Sequence, residues 1–306
     1  MPALEALLLS RHALVGLVTQ PDRPRGRSGR AAMPPAKAHL VSRGLELPVV
    51  QPEKPRGSAF RTRLRQLGPD VSVVAAYGHV LGQRILDLPR LGSLNLHASL
   101  LPRHRGAAPV AAALLAGDEV TGITLMRMER GLDTGPILLQ REMAILPGDS
   151  AGDLTGRLGR LAASVLVEGL DALAQGRLAE VPQDEGRATY APRLTSNDAR
   201  VRWNTPAAEI ERAIRAFDPW PGAFTELGGR RVKLFRAAVA QPTGSASPAN
   251  AAPAPAAGEV LSGPGLRVAT GCGILEVLEL QIEGRPRVAA ADFLRGRPVR
   301  PGTLLA

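Results

Sequence analysis

The sequence predicts an α/β fold in which a doubly wound, mostly parallel sheet is followed by a small β-barrel domain. Apolar stretches of strand length, such as Leu14–Thr19 and Val71–Ala76, alternate with helical stretches in the first half of the chain. This alternation is typical of doubly wound sheets. In the second half, short strand-like stretches such as Leu266–Ala269 and Ile274–Gln281 follow one another closely, as in small barrels. The 306 residues are enough for two domains of ordinary size.

Residues 1–175 are expected to form the first domain. Helical spacing and capping residues predict helices at Pro2–Ser10, Ala36–Arg43, Ser58–Gln66, Pro109–Leu115, Ser150–Gly169 and a further one to Ala174. Apolar stretches predict strands at Leu14–Thr19, Pro48–Val50, Val71–Ala76, Gly122–Met128, Pro136–Met143 and a strand ended by Pro102. Prolines and glycines rule out regular structure in Gln20–Pro35, which is therefore expected to be a loop.

A turn-rich linker is expected at residues 176–197, and a second domain at residues 198–306. This domain should hold a helix at Pro206–Ala216 and strands near Ala223–Leu227, Val232–Ala240, Glu259–Leu261, Leu266–Ala269 and Ile274–Gln281. Residues 242–258 are rich in Ala, Pro and Ser and carry no charge. Such a composition predicts a disordered insertion between two strands.

The overall composition, 44% hydrophobic and 22% charged, is that of a globular protein. Charges interrupt every apolar run before it reaches membrane-spanning length, and the first 20 residues do not resemble a signal peptide. Cys272 is the single cysteine, which excludes an intramolecular disulfide and a cysteine-based zinc site. We therefore expect a cytoplasmic protein without a membrane partner.

The chain is strongly basic, with a formal net charge of +10, which favours polyanionic partners. Residues 20–65 carry 11 Arg and Lys against three acidic residues, a net charge of +8. The chain has only three lysines, so a general preference for arginine is the alternative explanation. In the loop Gln20–Pro35, however, arginines alternate with turn-forming residues, which favours contact with a polyanion over a merely solvated loop. The arginines concerned are Arg23, Arg25, Arg27 and Arg30.

The stretch from Asn95 to Pro102 carries the candidate chemistry. On a strand, Asn95, His97 and Ser99 would share one face, at the carboxyl end of a parallel strand, where open α/β sheets bind ligands. An amide can donate to a developing oxyanion, and an imidazole can donate to it or move a proton. Asp133, in an Asp-Thr-Gly turn, is the candidate carboxylate to orient the imidazole. The set suits acyl transfer to an external amine. Ser99 is a weak candidate for a nucleophile, since no Gly-x-Ser-x-Gly motif surrounds it.

Three segments together resemble the folate-dependent formyltransferases: Asn95–Pro102, Arg105–Pro109 and Leu132–Gly135. The resemblance implies a Rossmann-like catalytic domain and an OB-like second domain. It also implies that Asn95, His97 and Asp133 are catalytic and that no metal is needed. The residues that it assigns to binding of 10-formyltetrahydrofolate are Ser99, Leu100, Leu101 and Pro102.

Within this family, three further segments are similar to the branch that formylates methionyl-tRNA: Gln20–Arg27, Thr189–Ala191 and Ile214–Gly222. The similarity implies formyl transfer to the α-amine of initiator methionyl-tRNA by a monomer. The second domain and the arginine-rich loop would bind the tRNA, with Arg27 at the position of the key arginine of that loop.

The start of the chain departs from the family pattern. Domains of this family open with a strand and a Gly-Thr-Pro-type loop, whereas this chain enters directly at the helix Pro2–Ser10. We expect the first strand to be missing, with a gap or a distorted sheet beside Leu14–Thr19, because its neighbours would have unpaired backbone groups.

Three other functions stay open on sequence grounds. One is formyl transfer to another amine, such as a nucleotide sugar or glycinamide ribonucleotide, against which the basic loop and second domain argue. An aspartic protease built on Asp133 would need a second such aspartate, and the chain has one Asp-Thr-Gly triplet. The third is an inactive RNA-binding homologue, which the intact set of Asn95, His97 and Asp133 disfavours.

Overall fold

The computed structural model describes residues 1–24, 29, 31–240 and 254–306. The chain divides into two compact units. The first comprises Met1–Pro109, Val120–Ala144 and Thr155–Pro192, and the second comprises Val110–Glu119, Ile145–Leu154 and Arg193–Ala306. The domain boundaries expected at residues 175 and 198 remain a prediction. Within the described ranges, no helix is both long and apolar enough to cross a membrane.

The first 192 residues contain the alternating helices and strands that the sequence predicts. The helices are α1 (Pro2–Leu9), α2 (Pro35–Ser42), α3 (Ser58–Leu67), α4 (Gln83–Leu86), α5 (Pro109–Ala116) and α6 (Ala151–Ala174). The strands are β1 (Leu17–Val18), β2 (Arg23–Pro24), β3 (Ala31–Ala32), β4 (Val49–Val50), β5 (Ser72–Val74), β6 (Ser93–His97), β7 (Arg105–Gly106), β8 (Val120–Arg127), β9 (Ile137–Ala144) and β10 (Tyr190–Ala191). The predicted α/β class is confirmed.

The main sheet of the first unit has the order β5-β6-β8-β9. Strand β6 runs parallel to β5 and antiparallel to β8, so the candidate residues lie on an inner strand of a mixed sheet. Among the described strands, β1 pairs with β4 alone, as a separate two-stranded parallel sheet. The sheet is therefore interrupted beside Leu14–Thr19, as expected. Strand β1, at Leu17–Val18, is shorter than the predicted strand Leu14–Thr19.

Helix α6 is one continuous helix of 24 residues, so the predicted division into two helices at Gly169 is wrong. The reason lies in packing, because a Cβ at Gly169 would come within 2.2 Å of the side chain of Leu125 on β8. Leu125 is fully buried. The glycine is thus needed for close contact between helix and sheet and does not mark a helix end.

The loop Gln20–Pro35 is more regular at its ends than its composition suggests. Strands β2 and β3 form a short antiparallel pair, with Arg23 opposite Ala32 and Pro24 opposite Ala31. The expectation that prolines and glycines rule out all regular structure here is wrong, because a proline can occupy an edge strand. Residues 25–28 and 30 lie outside the described part of the chain.

The second unit contains a curled antiparallel sheet at the place of the small β-barrel domain that the sequence predicts. Its later elements are α7 (Ala207–Phe217), β11 (Phe224–Leu227), β12 (Arg230–Ala240), β13 (Leu266–Ala269), β14 (Ile274–Ile282), β15 (Val288–Ala289) and α8 (Ala290–Gly296). The strand order is β11-β12-β14-β13, with β15 paired to β14 and an irregularity in β12 near Arg236. Such irregularities bend a strand. Helix α7 buries Ile210, Ile214 and Phe217 in the core of this unit, as its helical spacing requires.

The sequence predicts two features between β12 and β13, a disordered insertion and a strand. The predicted strand Glu259–Leu261 is reduced to isolated bridges, which join Glu259 to Leu304 and Val260 to Val268. Most of the predicted insertion at residues 242–258 lies outside the described residues, which resume at residue 254.

Candidate active site

Strand β6 carries Asn95 and His97 on one face, because side chains alternate along a strand. The alternate residues of the strand, Leu94 and Leu96, are buried on the opposite face. His97 itself is only 5% exposed, while Asn95 is half-buried. An inner strand with an apolar rear face therefore fixes the direction of both polar side chains, as the sequence predicts.

Asp133 lies in the connection between β8 and β9 and reaches back to the same face. Its backbone adopts a left-handed conformation with φ of 53°, which is uncommon for any residue other than glycine. The carboxylate accepts a hydrogen bond from Asn95 Nδ2 at Oδ1 (3.1 Å) and another from the backbone N–H of Gly106 at Oδ2 (2.9 Å). Oδ2 lies 3.6 Å from His97 Nδ1. The structure thus brings together all three predicted catalytic side chains.

The hydrogen bonds of His97 assign different roles to its two ring nitrogens. Nε2 lies 2.8 Å from the backbone carbonyl oxygen of His104, and a carbonyl can only accept. Nε2 must therefore carry hydrogen, which leaves Nδ1 as the nitrogen that faces the Asp133 carboxylate. The two groups attract each other as an ion pair when Nδ1 also carries a proton. Of the two ring nitrogens, Nδ1 is therefore the one that lies beside a carboxylate.

The segment Ser99–Pro102 begins one residue after the end of β6 and is held by polar side chains of β8 and β9. Thr124 Oγ1 donates to the Ser99 carbonyl at 2.6 Å and accepts from Leu101 N–H at 3.1 Å. Gln140 Nε2 donates to the Leu101 carbonyl at 2.9 Å and to Thr124 Oγ1 at 2.8 Å. Sequence reasoning did not identify Thr124 or Gln140. The sequence does not distinguish Thr124, because β8 contains a second buried threonine, Thr121.

Ser99 departs from its predicted position. Strand β6 ends at His97, so Ser99 does not continue the face that Asn95 and His97 share. The Ser99 hydroxyl donates to the Arg103 carbonyl at 2.6 Å, and the residue is fully buried. The expectation of three aligned polar side chains is therefore wrong for the third, because the chain turns before it. An engaged, buried hydroxyl agrees with the view that Ser99 is not a nucleophile.

The start of the basic loop is anchored by a second polar cluster, which we call the loop anchor (Asp22, Lys37 and Gln51). Asp22 accepts from Lys37 Nζ at 2.7 Å and from Gln51 Nε2 at 2.7 Å, and Lys37 also donates to Gln51 Oε1 at 2.8 Å. The hydrogen bond from Lys37, followed by that from Gln51, holds the pKa of Asp22 below its ordinary value. Arg23 pairs with Glu53 at 2.9 Å. Of the predicted tRNA contacts, Arg25, Arg27 and Arg30 lie outside the described residues.

Comparison with known proteins identifies the family to which this chain is related. The family model described as "Formyl transferase" matches residues 3–170, and the model described as "Formyl transferase, C-terminal domain" matches residues 193–298. The chain belongs to the formyl transferase family. It is therefore a formyl-transferring enzyme, and the family uses folate-derived formyl donors. In the described part of the chain, no cluster of three or more His, Cys, Asp or Glu is arranged to hold a metal ion.

Individual members of the formyl transferase family align with nearly the whole chain. The methionyl-tRNA formyltransferase of Acidobacterium capsulatum is 46% identical over 309 residues, which cover 100% of this chain and 96% of that protein. The methionyl-tRNA formyltransferase of Myxococcus xanthus is 46% identical over 292 residues, covering 95% of this chain and 89% of the relative.

A solved structure supports the fold assignment. WlaRD, a sugar 3N-formyl transferase solved in the presence of dTDP and 5-N-formyl-THF, superposes with a TM-score of 0.64 at 14% identity. The superposition covers 93% of this chain and 94% of that one. At this level of identity, the likeness concerns the fold.

Proposed function

We propose that this enzyme transfers a formyl group from 10-formyltetrahydrofolate to the α-amino group of initiator methionyl-tRNA. The observation that carries the proposal is the convergence of Asn95 and His97 on the Asp133 carboxylate. The name of relatives that are 46% identical supports the choice of methionyl-tRNA as acceptor. In the proposed reaction, the amine forms a bond to the formyl carbon, and the bond from that carbon to the folate nitrogen breaks.

Asn95 would stabilise the oxyanion of the tetrahedral intermediate. Its amide has two hydrogens, of which one is donated to Asp133, so the other can be donated to the developing charge. A preorganised donor of this kind strengthens as charge develops in the transition state. The contact with Asp133 also sets the orientation of the Asn95 amide, since a carboxylate can accept a hydrogen bond from the NH2 group but cannot donate one to the amide oxygen.

His97 and Asp133 would handle the protons. The attacking amine loses one proton, and the departing folate nitrogen gains one, so the reaction needs a group that can take up and return a proton. Nδ1 of His97 and Oδ2 of Asp133 lie 3.6 Å apart and form such a pair, while Nε2 stays bonded to the carbonyl of His104. No covalent enzyme intermediate is required, and the buried hydroxyl of Ser99 takes no part.

Substrate contacts would come from the adjoining segments. Ser99–Pro102 would contact the folate, and the hydrogen bonds to Thr124 and Gln140 keep this segment ordered beside His97. The four loop arginines would contact the tRNA, with further phosphate contacts from the second domain, where Arg230 and Arg231 are exposed on β12. The monomeric state and cytoplasmic location remain predictions.

The test is formylation of initiator methionyl-tRNA by the purified chain, with 10-formyltetrahydrofolate present or omitted. We expect formylmethionyl-tRNA only in the presence of the donor. Parallel reactions replace methionyl-tRNA with an amino-sugar nucleotide or glycinamide ribonucleotide. Preferential formylation of either would overturn the proposed acceptor. Binding of tRNA without formylation of any amine would identify an inactive RNA-binding homologue.

A further inference from the structure

Two sequence motifs of the first unit meet next to Asp133, although the proposed mechanism uses neither. Strand β7 (Arg105–Gly106) and strand β10 (Tyr190–Ala191) pair in parallel. Their hydrogen bonds run from Arg105 N–H to the Thr189 carbonyl and from Ala107 N–H to the Ala191 carbonyl, both at 2.8 Å. Strand β10, which lies in the predicted linker at residues 176–197, is therefore tied directly to β7, shortly after the segment Ser99–Pro102 that we propose contacts the folate.

The side chain of Arg105 lies inside this junction and is fully buried. Its Nη1 and Nη2 donate to the two carboxylate oxygens of Glu185, at 2.9 and 2.7 Å. Its Nε and Nη2 donate to Gln183 Oε1, at 3.0 and 2.8 Å. A buried guanidinium must be paired and hydrogen-bonded in this way, because an unpaired buried charge is strongly unfavourable. Arg105 consequently fixes the position and the orientation of the Gln183 amide.

Gln183 transmits that constraint to the backbone at Asp133. With Oε1 turned toward Arg105, Nε2 points the opposite way and donates to the carbonyl oxygens of Asp133 (2.9 Å) and Gly135 (2.7 Å). A reversed amide would place NH2 against the guanidinium, so the network itself determines the orientation. Asp133 is in the left-handed backbone region, a conformation that persists when the surroundings over-determine it.

The same junction also holds the carboxylate of Asp133. The N–H of Gly106 donates to Oδ2 at 2.9 Å. Gly106 has φ of 116°, and a Cβ there would lie 2.6 Å from the Ala191 carbonyl oxygen, so the close approach of β7 to β10 requires glycine. Main chain and side chain of Asp133 are thereby held from one side, which leaves Oδ1 for Asn95 and Oδ2 facing His97.

We propose that Gln183 and Arg105 are positioning residues, which hold Asp133 in the backbone conformation that directs its carboxylate to Asn95 and His97. The inference rests on the proposed function in that Asp133 is taken to act in formyl transfer. Neither residue touches the reacting atoms. Their effect comes through geometry, since a displacement of about 1 Å in a reacting group costs about 10²-fold in rate.

The substitution Gln183→Glu tests the Nε2 donor with little change in shape. Glutamate keeps an acceptor for Arg105 but cannot donate to the carbonyls of Asp133 and Gly135. We expect kcat for formylation of methionyl-tRNA to fall about 10²-fold, with KM for both substrates within about twofold of the parental value. The matched control is Gln66→Glu, an exposed glutamine whose Oε1 also accepts from an arginine, Arg63, at 3.3 Å. Gln66→Glu is expected to leave kcat and KM unchanged.

A double-mutant cycle separates positioning from a general loss of structure. If Gln183 acts through Asp133, Gln183→Glu will reduce the rate of Asp133→Ala by less than about twofold, because the group that it positions is already gone. A full 10²-fold loss in that background would overturn the inference. So would a parental kcat for Gln183→Glu in the Asp133-containing chain.

A readout that needs no substrate distinguishes this inference from the proposed function. The NMR signal of the His97 ring Cε1–H, assigned by its loss in His97→Gln, reports on the carboxylate 3.6 Å from Nδ1. We expect the signal to move in Gln183→Glu and to stay in place in Gln66→Glu. An unmoved signal overturns the positioning role even if the parental chain is active. A moved signal in a chain that does not formylate methionyl-tRNA supports positioning and refutes the proposed function.

Discussion

Arg105, next to Asp133, and Arg23, at the start of the basic loop, both pair with an exposed glutamate, but the two arginine side chains lie in opposite surroundings. The side chain of Arg105 is fully buried and shares its donors between Glu185 and Gln183, whereas the side chain of Arg23 is 63% exposed. Exposed ion pairs contribute about 0–1 kcal/mol and are screened by salt. Buried, multiply bonded charges are costly to disrupt. The comparison indicates that the arginine next to the candidate active site is fixed in the interior, whereas the arginine at the start of the basic loop is open to solvent and to a binding partner.

The largest loss of activity is expected from substitutions on strand β6. Asn95→Ala removes an oxyanion donor and should lower kcat about 10²–10³-fold. His97→Ala removes acid–base assistance and should lower kcat about 10²–10⁴-fold. Steady-state formylation measures both, with circular dichroism to establish that folding persists. Turnover near the parental rate in either variant would remove that residue from the mechanism.

Arg27→Lys tests the loop with its charge retained. Lysine lacks the planar fork with which arginine binds phosphate in two places. We expect formylation of methionyl-tRNA at subsaturating tRNA to fall about tenfold, the size of one charge-assisted hydrogen bond. The maximal rate at saturating tRNA should change little, in contrast with the β6 variants. Parental efficiency at low tRNA concentration would show that only the charge of Arg27 matters.

Salt dependence separates the remaining loop arginines from the active site. Arg23→Ala, Arg25→Ala and Arg30→Ala should each reduce the slope of log affinity against log salt by about one, because each removes one phosphate contact. Asn95→Ala should leave the slope unchanged. Filter-binding titrations of tRNA at several salt concentrations give these values. A slope that none of the loop substitutions alters would exclude the loop as a tRNA contact.

The smallest expected effect is an acid-dependent change in stability at Glu185. The hydrogen bond from Arg105 lowers the pKa of Glu185 below its ordinary value of 4.5. Its contribution to the free energy of unfolding is therefore complete above about pH 4.5 and is lost as the pH falls through the lowered pKa. Glu185→Gln should flatten this part of the stability curve, measured by denaturant unfolding between pH 5 and 3, while the curve above pH 5 keeps its shape. Identical slopes below pH 4.5 would contradict the pairing.

Local patterns predicted the parts of the site that depend on local geometry. The period of two along β6 placed Asn95 and His97 on one face, and both lie there. The same rule failed for Ser99 because the strand ends at His97. The alternation of side chains does not show at which residue a strand ends. Gly169 was read as a helix boundary although it accommodates the side chain of Leu125, a contact between residues distant in sequence.

The hydrogen bonds that hold Asp133 in place could not be predicted from the sequence, because they depend on pairing between very short strands that are distant in sequence. Strands β7 and β10 have two residues each and are separated by more than 80 positions, too short for any periodic signal. Arg105 belongs to a segment that carries the family resemblance, but the sequence predicts no role for its side chain, and its burial follows only from that pairing. The need for a carboxylate beside the imidazole, together with the family resemblance, predicted that Asp133 acts with His97, whereas the left-handed backbone of Asp133 emerges only in the folded chain.

The central claim is that the contact of Asp133 with Asn95 and His97 sets the rate of formyl transfer, while the loop sets tRNA binding. Single-turnover formylation of methionyl-tRNA, with 10-formyltetrahydrofolate saturating and enzyme concentration varied, separates the two quantities for Asp133→Asn. We predict a maximal rate at least about 10²-fold below that of the parent, at an unchanged half-saturating enzyme concentration. A parental maximal rate for Asp133→Asn would contradict the account.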